Sequence, residues 1–489
     1  MNLFKTFQER AANILSAILL TAVFIVGPAM PSTPSLAGEI RIDTEAQKAV
    51  SITIYNRDLA LVRDVRHIEL PKGEIQLAYS GISAKIKPET ALFQSDGIRI
   101  LEQNFEFDLL SPESLLRKYV GRRVEIIKKH PTTGEETTVP AKVLSVNNGV
   151  VLKIGNRIET GVPGRIAFPD VPENLRERPT LCLLADSSKA GSRDMELTYL
   201  TTGLGWHADY VAELNNHEDA FNIRGWVTLT NTSGTIYRNA RLQLVAGDVH
   251  RVRKRQEPRN VLYKAAMDAG MAAQTLKEES LLDYHLYTLD RLTTIKDKQN
   301  KQVSLLTASS VPCRKEYIIQ GNSFTYRRRM GGEAQRVKVG IFLSTENTEK
   351  NHLGVPMPAG VVRVYKKDSS GNLQFVGEDR IDHTPRKEEI RLRLGNAFDI
   401  TAWRKQTDFK KVSGFTGYNY VYEAAYEVLV KNALKKGVTV QVRENMPGDW
   451  NIKSESLLHK KLSAHTACWK VKVPAMGSTT LKYRAIVRY

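Results

Sequence analysis

The sequence predicts a mainly β, multi-domain protein of antiparallel β-sandwiches, with an inserted small SH3-like barrel and a C-terminal immunoglobulin-like sandwich. Three observations carry that expectation. Apolar and polar residues alternate in run after run, helix-period segments between those runs are scarce, and 489 residues suffice for about three domains. Period two places Ile52 and Ile54 on one face against Ser51 and Thr53, and Leu242 and Leu244 against Arg241 and Gln243. It recurs in Leu392 and Leu394 beside Arg391 and Arg393, in Val438, Val440 and Val442, and in Leu481, Tyr483, Ala485 and Val487. Each run reads as a strand with one wet face, and antiparallel pairing is favoured because parallel neighbours would each need a crossover.

In chain order, residues 1–37 read as a signal peptide. Lys5 and Arg10 lie in a basic opening, residues 11–26 are predominantly apolar, and Ser35-Leu36-Ala37 offers small residues for cleavage after Ala37. That apolar stretch falls short of the roughly 20 residues needed to span a bilayer, and no later window is long and apolar enough, so no transmembrane helix is expected after cleavage. The expected location is the periplasm or beyond. Residues 38–110 form an N-terminal β region. In 111–170, the SH3-like barrel, Ser111-Pro112-Glu113 opens a capped helical turn with proline first, and short strands beginning at Gly121, Ala141 and Val150 are separated by turn signals such as Asn148-Gly149. Residues 171–250 and 284–410 are two parts of a central sandwich, with Trp206, Tyr210, Trp226 and Tyr237 as its large buried side chains. Between them 251–283 is a basic, helical connector, and 411–489 is the C-terminal sandwich.

Lys and Arg number 71 against 53 Asp and Glu, a formal charge of +18, of which +17 remains without residues 1–37. Such basicity bears on polyanionic partners rather than on fold. Cys182, Cys313 and Cys468 are an odd set, 131 and 155 residues apart, unlike a disulfide framework. One bridge is compatible with that count and none is required; apolar neighbours favour buried thiols.

Longer blocks carry a family likeness. Gly203-Leu204-Gly205-Trp206-His207-Ala208-Asp209-Tyr210, Gly225-Trp226-Val227-Thr228-Leu229-Thr230-Asn231 and Leu242-Gln243-Leu244-Val245-Ala246-Gly247-Asp248-Val249 resemble the signature strands of the bacterial family called domain of unknown function 4139. Lys301-Gln302-Val303-Ser304-Leu305, Gly377-Glu378-Asp379-Arg380-Ile381-Asp382-His383-Thr384-Pro385 and Arg404-Lys405-Gln406-Thr407-Asp408-Phe409 are similar to that family's second half, in the same order. The likeness covers nearly all of the chain beyond residue 37. The family has no assigned reaction, and its link by domain content to proteins named as mucoidy inhibitors implies a connection with cell-envelope polysaccharide and no more.

No Gly-x-Ser-x-Gly elbow, Gly-x-x-x-x-Gly-Lys-Ser/Thr loop or His-Glu-x-x-His pair is present. Gly203-Leu204-Gly205-Trp206 lacks the third glycine and following helix of a dinucleotide site and reads as a turn or bulge. His207 and Asp209 share a strand face, with His217 and Glu218 beyond a turn, and a hydrogen-bonded histidine is expected there rather than a metal ligand. Asp379, Asp382 and His383 form the densest acid and histidine cluster, the residue types of a general base or cation site, although Thr384 and Pro385 beside them point to a turn. The candidates for ligand binding are Arg251, Arg253, Lys254 and Arg255, and Arg327, Arg328 and Arg329 beside Tyr326. Guanidinium groups pair bidentately with phosphate or uronate carboxylate, and tyrosine stacks on a sugar face; the plain alternative is a solvated loop. No metal or cofactor is expected, and export disfavours nucleic acid. Short, proline-interrupted strands disfavour a membrane barrel ending at Tyr489. The expectation is an exported cell-envelope binding or scaffold protein that contacts anionic polysaccharide or lipopolysaccharide through basic surfaces, with protein partners as a further class. The alternative is an envelope polysaccharide hydrolase or lyase with an acidic/His site between sandwiches; binding is favoured over catalysis.

Overall fold

The structure, a computed structural model, describes residues 38–56, 58–172, 175–247, 277–281, 284–413 and 417–488. The expected signal peptide and most of the connector lie outside them. Strands dominate the described residues and form six sheets. The alternating runs all become strands with their apolar sides inward: Ile52 and Ile54 on Gln47–Tyr55, Leu242 and Leu244 on Tyr237–Ala246, and Val440 and Val442 on Val438–Asn445 are buried. The chain is therefore mainly β, with no barrel closing among the described residues.

The largest core is shared by several sheets. A four-stranded sheet (Ile40–Ile42, Gly73–Ser80, Thr180–Ser187 and Ile98–Glu106, in that order) contributes Leu77, Tyr79, Leu181 and Leu183. A larger sheet built on Tyr237–Ala246, Gln47–Tyr55, Leu59–Leu70 and Gly191–Thr201 contributes Ile52, Val62, Leu70 and Tyr199. The N-terminal strands are thus interleaved with those that follow residue 171. A third, five-stranded sheet runs in the order Gln299–Pro312, Ala220–Asn231, Leu204–Leu214, Gly360–Lys367 and Leu373–Ile381, and buries Tyr210, Val227 and Val364 in the same core.

Among the described residues most ladders are antiparallel, but four are parallel: Ile40–Ile42 with Gly73–Ser80, Gln47–Tyr55 with Tyr237–Ala246, Leu204–Leu214 with Gly360–Lys367, and Arg314–Gln320 with Val438–Asn445. The crossovers they need consist of whole sets of strands rather than of helices, so scarce helix did not exclude them. Trp206, Tyr210 and Tyr237 are buried as expected, whereas Trp226 is not. On Ala220–Asn231 the inward positions are Phe221, Ile223, Gly225, Val227 and Leu229, which turns Trp226 to the outer face.

Residues 119–168 enclose a small separate core of Tyr119, Val124, Ile126, Ala141, Val143 and Leu152. Its five strands form an antiparallel sheet whose edges, Arg157–Thr160 and Arg165–Ala167, do not pair with each other. The helix Pro112–Lys118 leads into it. Ser114 donates its backbone N–H to the Ser111 hydroxyl at 3.0 Å while Ser111 N donates to the Ser114 hydroxyl at 2.8 Å, so two otherwise orphaned helix-start donors are satisfied reciprocally. The last core lies between a sheet of Glu389–Asn396, Gly340–Glu346, Arg314–Gln320, Val438–Asn445, Thr466–Val473 and His459–Ser463 and a sheet of Gln335–Val337, Ile400–Lys411, Val421–Asn432, Ser478–Arg488 and Asp449–Glu455. This two-sheet body takes in strands from residue 314 onward.

Cys182, Cys313 and Cys468 are free, and burial pushes the thiols of Cys182 and Cys313 up to about 12 and about 11. At pH 8 they are protonated, so native protein is expected to react slowly with a thiol-directed chromophore and denatured protein to release three equivalents at once; fast native labelling would contradict the burial.

Arg66 is fully buried and ties two sheets together. It donates to the carbonyls of Ile42 and Ser80 at 2.6 and 2.8 Å, pairs with Asp64 at 2.8 Å, and lies 3.8 Å from the Tyr79 ring centroid. Arg66→Met leaves the Asp64 charge buried and is expected to cost about 3–5 kcal/mol in urea unfolding, whereas the double variant Asp64→Leu/Arg66→Met recovers much of that loss.

Candidate functional site

Of the basic candidates, Arg251, Arg253, Lys254 and Arg255 lie outside the described residues. The other group is placed by an anchored loop. Asn322 caps the short 3-10 turn Ser323–Tyr326 by accepting from Phe324 N at 3.1 Å. Tyr326 then turns inward and is fully buried, with its hydroxyl 2.9 Å from that of Tyr483 and donating to Glu444 at 3.1 Å. The expectation that Tyr326 stacks on a ligand is therefore corrected: its ring packs edge-on against Tyr426 at 5.4 Å inside the sandwich. Burial, and the neighbouring Tyr483 hydroxyl, hold the Tyr326 phenol well above the usual tyrosine range.

What the anchor leaves outside is the run Arg327, Arg328 and Arg329, all exposed. Gln406 fastens the backbone behind them, accepting from Met330 N at 2.7 Å and donating to Arg328 O at 3.3 Å, while the Tyr426 hydroxyl donates to Thr325 O at 2.6 Å. The arginines are thus presented by a loop whose backbone bonds are satisfied by the core.

Arg329 reaches the carbonyl of Phe409 at 3.4 Å, and from Phe409 an aromatic ladder begins. The Phe409 and Tyr422 rings are stacked at 5.4 Å, and Tyr422 and Tyr420 lie parallel, 3° apart in orientation, at 6.3 Å. Lys411 stands 5.5 Å from the Tyr420 centroid. Sequence reasoning missed this ladder. Its signal was Tyr418, Tyr420 and Tyr422 at every second position, which puts rings on one side of an extended segment.

The acid candidates lie elsewhere. Asp379, on Leu373–Ile381, accepts from the backbone N–H of Arg393 at 2.7 Å and of Arg380 at 2.9 Å, so its carboxylate serves the join to the neighbouring strand. Asp382 and His383 follow the strand end, where Thr384 bridges Met357, and His383 Nδ1 accepts from Ala359 N at 3.2 Å. Among the described residues no group of three or more His, Cys, Asp or Glu side chains is arranged to hold a metal ion. His207 contacts Asp209 at 3.1 Å, and Arg363 contacts the same carboxylate at 3.0 Å. His217 is not part of that group; Glu218 instead holds Lys315 at 2.7 Å and Lys366 at 2.6 Å. Burial raises the Glu218 carboxyl, and the hydrogen bonds and charges of the two lysines more than offset it, leaving it at about 2.

These features define a multi-sheet β protein with charged and aromatic side chains on the outside of its sandwiches. The family model described as domain of unknown function (DUF4139) matches residues 195–489, and the chain belongs to that family. No curated protein matches it.

Because the Glu218 value falls from 4.5 to about 2 on folding, the stabilisation it supplies is complete above about pH 5 and fades as pH drops toward 2. Glu218→Gln is expected to remove about 1–2 kcal/mol at pH 7, allowing for partial exposure, and to flatten the acid limb of a thermal-melting series; an unchanged acid limb would refute the lysine clamp.

Proposed function

We propose that this chain is an exported cell-envelope binding or scaffold protein that holds anionic polysaccharide or lipopolysaccharide on the Arg327–Arg329 loop and the adjoining Phe409, Tyr422 and Tyr420 ladder. The observation that carries the reading is the anchored loop itself. The backbone that carries three exposed arginines is held by a buried tyrosine and by Gln406, so binding an anion need not order that backbone first. Guanidinium forks match phosphate and carboxylate oxygens, and a sugar ring has an apolar face for an exposed tyrosine such as Tyr420. A net charge of +17 beyond residue 37 adds long-range attraction for a polyanion. Export rests on the basic and apolar opening of the sequence.

The test is biolayer interferometry of the chain without residues 1–37 on immobilised lipopolysaccharide and on alginate, at low and high salt. Arg327→Glu/Arg328→Glu/Arg329→Glu is expected to weaken binding by more than about tenfold, and wild-type binding to fade with salt. Tyr420→Ala should weaken it by a smaller factor. Full retention by the triple variant, with its melting temperature unchanged, would remove this loop from the reading.

A further inference from the structure

We propose that the outer face of the sheet Gln299–Pro312, Ala220–Asn231, Leu204–Leu214, Gly360–Lys367 and Leu373–Ile381 is a second ligand site, shaped for an uncharged, extended oligosaccharide. This goes beyond the anionic reading and stands on other residues.

The register lays a diagonal apolar stripe across that face. Trp226 stands opposite Asp209, Val211 is two residues further along the same strand as Asp209, Tyr365 stands opposite Glu213, and Phe375 is paired with Tyr365. Each of the first two steps is one strand over and two residues along, which keeps all of these side chains on one side of the sheet. The Tyr365 and Phe375 rings meet at 5.6 Å and 65°. Leu373, paired with Lys367, extends the line. Phe375 is 56% exposed, Leu373 53% and Val211 39%, while Trp226 and Tyr365 are half-buried. From Trp226 to Phe375 the stripe crosses three strand spacings, about 14 Å.

Polar groups held in fixed positions flank it. On one side Asp209 accepts from Thr228 at 3.1 Å and from Arg363 at 3.0 Å, and Arg363 continues to Glu378 at 3.2 Å. On the other Lys367 pairs with Glu213 at 2.9 Å, at the mouth of a cleft of about 300 Å³ lined in part by Asn215, Asn222 and Ser310. Charge on this face is nearly balanced, with Asp209, Glu213 and Glu378 set against Arg224, Arg363, Arg380 and Lys367. Such a face has little to offer a polyanion, unlike a run of three consecutive arginines. A stripe one side chain wide, edged by fixed donors and acceptors, matches a chain of pyranose rings, whose apolar faces stack on aromatic rings while their hydroxyls reach the rim. A stable protein partner would instead need about 800 Å² on this side.

The probes are cellohexaose, chitohexaose and maltohexaose, titrated into the chain without residues 1–37 while tryptophan emission is followed, with size-exclusion light scattering on the same samples. At least one hexasaccharide is expected to bind and to perturb the emission. Trp226→Ala and the more exposed Phe375→Ala should each weaken that binding by about tenfold, with melting temperatures close to wild type. The triple glutamate variant of Arg327, Arg328 and Arg329 should bind the hexasaccharide as wild type does, so failure of the anionic reading and failure of this one are separate results. The proposal is overturned if no probe binds with a Kd below about 1 mM, if Phe375→Ala binds undiminished, or if the wild type is a dimer that Trp226→Ala makes monomeric, which would assign the face to a second copy of the chain.

Discussion

A guanidinium buried between two sheets is the interaction on which both sandwich bodies depend. In the first, Arg66 projects inward from Leu59–Leu70 and caps the carbonyls of Ile42 and Ser80 on the facing sheet, with Asp64 as its counter-charge. In the second, Arg404 of one sheet meets Glu444 of the other, where both are buried. Burying a charge costs several kcal/mol, and the Coulomb return on a pair seldom exceeds that cost. What such a pair adds is definition, because a sheet that slid or rotated would strand a charge in an apolar core. Arg66 illustrates the point: its donors are directed at two backbone carbonyls and one carboxylate, and Gln47 satisfies the other Asp64 oxygen at 2.8 Å. The hydrophobic residues around it would tolerate several registers; these hydrogen bonds accept one.

The same constraint reaches the surface through Glu444, whose carboxylate takes both Arg404 and the Tyr326 hydroxyl. Gly321 makes room for it. A Cβ at Gly321 would run into the Glu444 carboxylate, so the chain entering the arginine loop must be bare of side chain at that point. The loop's outward face is therefore set by what its inward face needs. Tyr326 plugs the core, Gln406 ties the following backbone, and the three arginines are left outside by alternation between buried anchor and wet exit. The aromatic ladder has a similar origin. Tyr422 continues the inward-facing series of Ala424, Tyr426 and Val428 past the end of the core, where partly buried Phe409 covers it.

The strands were legible because alternation is a direct imprint of a sheet with one wet side, and Gln47–Tyr55 or Val438–Asn445 needs no further information. Asp64 and Arg66 show where that logic stops. They occupy inward positions of a clean alternating strand, between Val62 and Ile68, and only the facing carbonyls explain them. Tyr326 beside three arginines looked like part of a binding surface because neighbours in sequence share a composition; the turn that sends them to opposite sides depends on Glu444, more than a hundred residues away. Trp226 is the reverse case. Size suggested burial, but the inward glycine before it and Val227 after it already assigned it to the outer face. Parallel ladders were illegible for a simpler reason: no local pattern records which distant strand will be the neighbour.

The outer stripe depends on one of those distant pairings. Gly360–Lys367 docks parallel to Leu204–Leu214, and Gly360 permits the approach, since a Cβ there would strike the Ala208 carbonyl. Asp209 with Arg363 and Glu213 with Lys367 then cross the same ladder, two ion pairs four residues apart on the wet face. A slip of one residue would send Arg363 and Tyr365 inward and break both pairs at once. Exposed ion pairs contribute little to stability individually, so their consequence here is positional. They keep the odd-numbered side chains of Gly360–Lys367 on the wet face, the condition for Tyr365 to line up with Trp226, Val211 and Phe375, although those residues come from segments more than a hundred residues apart in the chain.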